Sequence, residues 1–295
     1  MGLFDKIFGK RSEATAQSAP TMPLGLSTAG PPIDAVAGQV WTNPIDGSVL
    51  VFVPPGLFRM GSARADLETF FARNGLPLDQ VHHYHDETPA VDVTLRGFWI
   101  GKYTVTNPQF ARFIDATQYA ARPGLGEEER FHCTRIHSCG AAPYPVSSIP
   151  WQMAADYCAW AGMRLPSEAE WEKAARGTDG RVWPWGNKYQ AELANTLERS
   201  APMPDGIQVD ELPGSASPYG CVQMAGNVGE FCADWYAPDA YQQGPRTDPM
   251  GAAAGPGRVV RGGSTSQPMV YARTASRNFV PPHRSVDFVG FRPAI

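Results

Sequence analysis

The side chains that could do metal or redox chemistry in this 295-residue chain are concentrated in two short histidine-containing segments. The first, FHCTRIHSCG, contains His132, Cys133, His137 and Cys139. Imidazole and thiolate are preferred ligands of zinc and copper, so this segment is a candidate transition-metal site. Its C-x5-C spacing is not a standard zinc pattern, and a loop with reduced thiols explains the segment equally well.

The second segment, VHHYHDETP, contains His82, His83, His85, Asp86 and Glu87. Three imidazoles this close together could bind a metal or exchange protons near neutral pH. The alternative interpretation is a solvated loop with no chemistry. The residues alone leave both interpretations open.

The other three cysteines are Cys158, Cys221 and Cys232; free cysteines are commonly buried and then behave as small, unreactive apolar residues. A total of five cysteines is odd, which fits reduced thiols better than a disulfide framework. The first eleven residues lack the apolar stretch of a secretory signal, and no apolar run is long enough to predict a membrane span. We therefore expect a cytoplasmic protein.

Composition limits the kind of fold that can position these side chains. The chain has 30 glycines and 28 prolines, which break long regular elements and argue against a helical bundle, a coiled coil or a doubly wound sheet. Hydrophobic residues make up 43%, enough for a sizeable core. The net charge of −4 does not indicate a nucleic-acid partner.

Short strands are predicted on both sides of the helical part of the chain. Residues 49–53 and 57–60 are predicted to form a hairpin across the Pro-Pro-Gly turn, and 91–105 is predicted to contain two strands. Three further strand-like pieces follow near the C-terminus: 258–261, 271–276 and 288–291.

Start and stop signals predict three helices. Thr106 caps the first, and the second covers about 152–161. The third begins with a capping box of Ser167 and Glu170 and ends at Gly177. We predict almost no helix beyond that point.

Residues 1–38 are predicted to form a flexible N-terminal segment, and residues 39–295 the globular domain. Leu3, Phe4, Ile7 and Phe8 place one apolar stripe on a short helix that could dock a partner or a membrane surface, or could simply fray. Residues 12–38 are rich in Ala, Ser, Thr, Pro and Gly and are typical of a linker.

Seven segments carry a family resemblance: FVPPGLFRMGS, DETPAVDVTLRGFWIGKYTVTNPQFARFI, YPVSSIPWQMAADYCAWAGMRLPSEAEWEKAARG, WPWGN, PYGCVQMAGNVGEFCADWY, RVVRGGS and VGFR. In this order, they resemble the formylglycine-generating enzyme family, also called the sulfatase-modifying-factor domain. The resemblance implies one α+β domain with a C-type-lectin-like core, few helices, short antiparallel strands and much irregular structure. The family includes copper oxidases acting on protein cysteine, pigment-maturing oxidases, members without known catalysis and variable proteins of diversity-generating retroelements.

The family's copper oxidase binds its metal through two thiolates that lie shortly after the RGGS motif. In this chain RGGS ends at Ser264 and no cysteine follows it. The resemblance therefore implies that copper-dependent formylglycine generation is absent. We do not expect a transition-metal cofactor.

The resemblance also implies two structural calcium sites. The first would use Asn195, Thr196, Asp205 and Ile207; the second would use Gln223, Gly226, Val228 and Glu230. Such oxygen ligands suit Ca2+. The second set departs from the family pattern, because Gln223 replaces the usual Asp or Asn and Gly229 replaces the usual Trp. The alternative is that these polar groups only satisfy backbone donors of the loops.

The segment from RGGS to GFR forms the family's ligand face. Arg261, Arg273, Arg277 and Arg292 are expected to belong to its frame. The side chains expected to contact a ligand are mostly small polar or aromatic ones: Thr265, Ser266, Gln267, Met269, Tyr271, Thr274, Ser276, Asn278, Phe279, His283 and Asp287.

Two functions follow from these observations. We favour a non-catalytic member that binds a protein or a small-molecule ligand with this face, and we consider it a candidate retroelement-diversified variable protein. The alternative is a metal-dependent oxidase of the same family that acts on a protein or a small metabolite through one of the two histidine-containing segments.

Overall fold

The computed structural model describes residues 30–199, 206–244 and 246–295, so the predicted short helix in the first eleven residues lies outside the described part. The strands are β1 (Val40–Thr42), β2 (Val49–Val53), β3 (Gly56–Met60), β4 (Val91–Leu95), β5 (Phe98–Gly101), β6 (Gly229–Trp235), β7 (Arg258–Arg261), β8 (Asn278–Val280) and β9 (Val289–Gly290). The helices are α1 (Arg64–Arg73), α2 (Asn107–Thr117), α3 (Glu127–Ser138), α4 (Trp151–Trp160), α5 (Glu168–Arg176) and α6 (Ala240–Gln243). The α+β class is confirmed.

The predicted hairpin between β2 and β3 is wrong. β2 pairs with β1 and β5, whereas β3 pairs with β4. The register runs on from one pairing to the next, since Val53 lies opposite Phe98 and Gly56 lies opposite Leu95. The chain therefore does not reverse at the Pro-Pro-Gly turn. The turn interrupts one long antiparallel ribbon, because the prolines have no N–H to donate to a ladder.

The second half of the domain contains a four-stranded sheet in the order β8-β7-β6-β9, with β6 and β9 parallel. The predicted strand at 258–261 is confirmed as β7, and β9 lies inside the predicted 288–291. The predicted strand at 271–276 is wrong, because a 3-10 turn covers Met269–Ala272. The residues after this turn lie outside any strand. The backbone N–H of Thr274 donates to the carbonyl of Val182, and the carbonyl of Thr274 accepts from Arg261.

The three predicted helices are confirmed as α2, α4 and α5. Thr106 and Gln109 form a capping box at α2, and Ser167 and Glu170 form one at α5. Helices α1 and α3 were not predicted. In α1 the buried residues Leu67, Phe70 and Phe71 do follow helical spacing, so the signal was present.

Helix α5 lies at the centre of the domain. All nine of its residues are buried, and it contacts β3, β4, β6 and β7. Its buried charged residues Glu168, Glu172 and Arg176 therefore have to find partners inside the protein. No helix in the described ranges is long and apolar enough to cross a membrane.

Candidate binding face

The C-terminal segment leaves β7 through two glycines. Gly262 and Gly263 have positive φ values of 91° and 65°. A Cβ at Gly263 would lie 3.0 Å from the backbone of Tyr271 and Ala272, so the glycine lets the segment fold closely over itself. This turn starts the run of residues that the sequence analysis assigned to a ligand face.

The four arginines that the resemblance assigns to the frame lie in the interior, one at the end of β7 and three in the segment that follows. Arg261, Arg273, Arg277 and Arg292 are each at most 7% exposed. Three make two-pronged ion pairs with buried carboxylates, of the kind that fixes geometry as well as charge. The nearest N···O distances are 2.6 Å for Arg273–Glu87, 2.7 Å for Arg277–Glu168 and 2.5 Å for Arg292–Glu230.

The fourth arginine joins the segment to helix α5. Arg261 binds Glu168 at 2.9 Å and Glu172 at 2.5 Å. Burial acts to raise the pKa of Glu168, but the charges of Arg277 and Arg261 outweigh it, so its pKa is lowered and the carboxylate stays ionised. The frame is thus a buried network of charges that ties the segment to the central helix.

Three of the predicted ligand-contacting residues do not belong to an exposed face. Thr265, Thr274 and Ser276 are each at most 6% exposed. The Thr274 hydroxyl donates to the carbonyl of Arg181 at 2.8 Å. Small polar side chains serve here as packing and hydrogen-bonding elements of the frame.

One group of predicted residues lies along the 3-10 turn. Ser266 and Tyr271 are exposed, and Gln267 and Met269 are half-buried. The backbone N–H of Met269 donates to both carboxylate oxygens of Glu198 at 2.9 Å. This anchors the turn while leaving its side chains accessible.

The other predicted residues are all exposed. Asn278 and Phe279 lie in strand β8, and His283 and Asp287 lie in the loop between β8 and β9. Phe279 stacks on Tyr236 with ring centroids 4.5 Å apart. The hydroxyl of Ser148 donates to Asp287 at 3.4 Å. Eight of the eleven predicted residues are therefore at least partly accessible, on a frame whose arginines are buried.

The cysteines are dispersed. Cys133, Cys158, Cys221 and Cys232 are buried and Cys139 is exposed. Burial raises the pKa of each buried thiol, to about 11 for Cys221, which disfavours the reactive thiolate.

The first histidine-containing segment is a helix, not the loop that was one interpretation. His132 and Cys133 lie on the buried side of α3. His137 contacts Asp115 at 2.9 Å, and the carbonyl of Cys133 together with Asp115 raises the pKa of this imidazole. Within the described ranges, no three His, Cys, Asp or Glu side chains are grouped as a metal site would require.

In the second histidine-containing segment the imidazoles and the carboxylates face different ways. His82, His83 and His85 are exposed, whereas Asp86 and Glu87 are buried. Glu87 binds Arg273, and Asp86 accepts a hydrogen bond from the hydroxyl of Tyr236 at 2.9 Å. The two acids belong to the frame, and the rings of His82 and His83 lie 3.9 Å apart at the surface.

The first predicted calcium set is partly assembled around Asn227. The side-chain oxygen of Asn227 accepts a hydrogen bond from the Asn195 side-chain amide at 3.4 Å and another from the Ile207 backbone N–H at 3.0 Å. Thr196 donates to Glu198 at 2.9 Å. Asp205 lies outside the described residues, and calcium binding here stays a prediction.

In the second predicted calcium set, the carboxylate already has a cationic partner within the protein. Glu230 is fully buried and its carboxylate accepts from Arg292 and from the indole of Trp171 at 2.6 Å. The side-chain oxygen of Gln223 accepts from Asn227 at 2.7 Å. Gly226 and Val228 are buried in the same loop. Both oxygens of the Glu230 carboxylate already accept from Arg292, and calcium binding here also stays a prediction.

Sequence reasoning missed the acidic half of the frame. Glu87, Glu168 and Glu172 were not recognised as partners of the segment's arginines. No signal in one sequence pairs residues that lie about 90 to 190 positions apart.

Comparisons with known proteins agree with this architecture. The model of the family described as "Sulfatase-modifying factor enzyme 1-like domain" matches residues 36–295. The formylglycine-generating enzyme of Thermomonospora curvata is 31% identical over an alignment of 300 positions, which covers 83% of this chain and 92% of that protein.

Two solved structures share the fold. The structure of PvdO from Pseudomonas aeruginosa superposes with a TM-score of 0.68 at 26% identity, covering 88% of this chain and 98% of that one. The Treponema denticola variable protein 1 gives a TM-score of 0.62 at 20% identity, covering 87% and 98%, which shows the common fold alone. The predicted C-type-lectin-like architecture is confirmed.

Proposed function

The chain belongs to the family of sulfatase-modifying factor enzyme 1-like domains, and on this premise we propose that it binds a protein or small-molecule ligand with its Ser264–Arg292 segment and does not oxidise cysteine. The observation that carries the proposal is the division of this segment into exposed side chains and a buried frame. Arg273, Arg277 and Arg292 of the segment, like Arg261 just before it, are held by buried carboxylates, while most of the predicted contact residues are accessible.

Such a division suits recognition. A binding surface needs side chains held on a support that does not rearrange. Each buried arginine is fixed by charge-assisted hydrogen bonds, and losing either partner would leave an uncompensated buried charge. The exposed residues Ser266, Tyr271, Asn278 and Phe279 can therefore differ in type without disturbing the fold.

The same segment lacks the residues for copper-thiolate chemistry. No cysteine follows Ser264, and burial raises the thiol pKa of the four buried cysteines. Copper(I) prefers soft thiolate ligands. The absence of a thiolate pair supports binding over formylglycine generation.

A role as a retroelement variable protein is the more specific form of the proposal. It would place the diversified positions among the exposed residues of the segment and leave the arginines constant. The gene's neighbourhood tests this directly: an adjacent reverse transcriptase and a near-copy of the gene's 3′ end support it, and their absence contradicts it.

An oxidase assay tests the proposal against its enzymatic alternative. Purified protein, as isolated and after copper loading, is incubated with a cysteine-containing peptide while oxygen consumption and peptide mass are followed. We expect no peptide oxidation above that of free copper at the same concentration. Turnover that is lost in a His82→Ala/His83→Ala/His85→Ala variant, but kept in a His283→Ala variant, would overturn the proposal in favour of a metal-dependent oxidase.

A further inference from the structure

A cavity of about 460 Å³ lies between helix α1, the loop before Tyr189 and the Arg273–Ala275 stretch. Its volume is within the range of about 300–1,000 Å³ that small-molecule sites occupy. Of the predicted ligand-contacting residues, Thr274 alone lines it. The cavity is therefore distinct from the exposed face described above.

One wall of the cavity is aromatic. Trp183 is 1% exposed, and its ring centroid lies 5.6 Å from that of Phe70 and 5.3 Å from that of Tyr189. Leu67 completes this wall. Because Trp183 is almost fully covered, the apolar surface that a flat ligand could reach belongs to Tyr189, which is half-buried, and to Phe70, which is 8% exposed.

Two donors in the cavity-lining residues have no acceptor among the described residues. They are the indole N–H of Trp183 and the Nε of Arg176. The other nitrogens of Arg176 are bound, to Glu172 and to backbone carbonyls. Both atoms are fully buried and do not face the open space of the cavity, so the polar groups that a ligand could reach there belong to other side chains.

The charged residues around the cavity are mainly positive. Arg73 and Lys188 are exposed and make no ion pair within the described part of the chain. Arg176 and Arg273 also line it, and their carboxylate partners, Glu172 and Glu87, do not. Asp66 is the single carboxylate in the described lining.

We propose that this cavity binds a small organic anion, with a flat apolar body against Phe70 and Tyr189 and a carboxylate or phosphate facing Arg73 and Lys188. Guanidinium and ammonium groups recognise both anions by charge-assisted hydrogen bonds. The aromatic wall supplies affinity for the body of the ligand, and the two cations select its charge. This site requires neither copper nor a partner protein.

The test uses 1-naphthoate and 1-naphthyl phosphate as probes, with 1-naphthamide as an uncharged analogue of similar shape. Binding to the full-length protein is measured by calorimetry and by ligand-observed NMR. We expect saturable 1:1 binding of at least one anion and binding of the amide at least about tenfold weaker, a factor that corresponds to about 1.4 kcal/mol.

Variants locate the site. Arg73→Gln/Lys188→Gln should weaken binding of the anion at least about tenfold. The fold should be retained, because neither side chain has an ion-pair partner in the described ranges. The matched control, Arg59→Gln/Arg284→Gln, removes two exposed positive charges elsewhere and should bind as the wild type does. Absence of saturable anion binding, equal affinity for the amide, or an equal loss in the control or in Tyr271→Ala would overturn the proposal, whatever the oxidase assay shows.

Discussion

Arg273 and Glu87 are 186 residues apart in the chain and form a two-pronged ion pair in the interior, with N···O distances of 2.6 and 3.0 Å. Glu87 stands just before strand β4, and Arg273 stands in the middle of the C-terminal segment. Their side chains are 0% and 4% exposed. This pair ties the proposed binding segment to the first half of the domain.

Truncating one member of this pair should destabilise the whole domain. Arg273→Ala leaves the Glu87 carboxylate buried without its counter-charge, which typically costs about 3–5 kcal/mol. Urea unfolding of the purified protein measures the change. In the control, Arg64→Ala removes one member of the exposed Arg64–Glu68 pair and should cost no more than about 1 kcal/mol. Similar losses in the two variants would show that the buried pair does not hold the segment.

Gly229 occupies the position where the resemblance places a tryptophan, and the space for a side chain there is closed. A Cβ would lie 2.9 Å from Cγ1 of Val260. Gly229→Trp should therefore destabilise the protein by about 1–3 kcal/mol, as overpacking does. Val260→Ala in the same chain should recover part of the loss. Ser266→Trp, at an exposed position, should leave the unfolding midpoint nearly unchanged; an unchanged midpoint in Gly229→Trp would contradict this account.

Asp234 should make stability depend on pH. Burial, together with the nearby charge of Glu168, raises its pKa from 3.8 to about 7. Because the folded state holds the proton more tightly, the stabilisation is complete below about pH 4 and is lost as pH rises through about 7. Between pH 5 and pH 8, the melting temperature of Asp234→Asn should fall less than that of the wild type. Asp210→Asn, an exposed control, should follow the wild type; parallel curves for all three proteins would refute the assignment.

Calcium should distinguish the two predicted donor sets. If the first set binds the ion, millimolar Ca2+ should raise the melting temperature by about 5 °C, since binding to the folded state alone adds stability. Asp205→Ala should abolish that rise. Glu230→Gln should destabilise the protein with or without calcium, because its carboxylate is bound by Arg292. A calcium response that depends on Glu230 and not on Asp205 would reverse this assignment.

The sequence predicted those parts of the fold that depend on neighbours in the chain. The helix cap at Thr106 and the capping box at Ser167 are local signals, and both are present in the structure. The hairpin across Pro54 was also a local inference, and it failed because each strand pairs with a partner more than 30 residues away. Turn chemistry alone could not show that the ribbon continues through the turn.

The candidate site shows the same limit. The arginines of the frame could be selected from the resemblance, but their carboxylates could not, because Glu87 and Glu168 come from distant elements. Thr274 and Ser276 have the composition of a contact surface and are nevertheless buried. Exposure depends on how the segment folds over itself at Gly263, which composition does not encode.

The central claim is that the accessible side chains of the Ser264–Arg292 segment bind a partner. The most direct measurement is quantitative capture from a lysate of the source cells, with retained proteins and small molecules both identified by mass spectrometry, comparing immobilised wild-type protein, Tyr271→Ala/Phe279→Ala and a control. Both substituted residues are exposed, so the fold should be unchanged. The control, Leu57→Ala/Met250→Ala, removes two exposed apolar side chains outside the segment. We predict a partner that the wild type and the control retain and that the segment variant loses; equal retention by all three proteins, or no retained partner, would contradict the account.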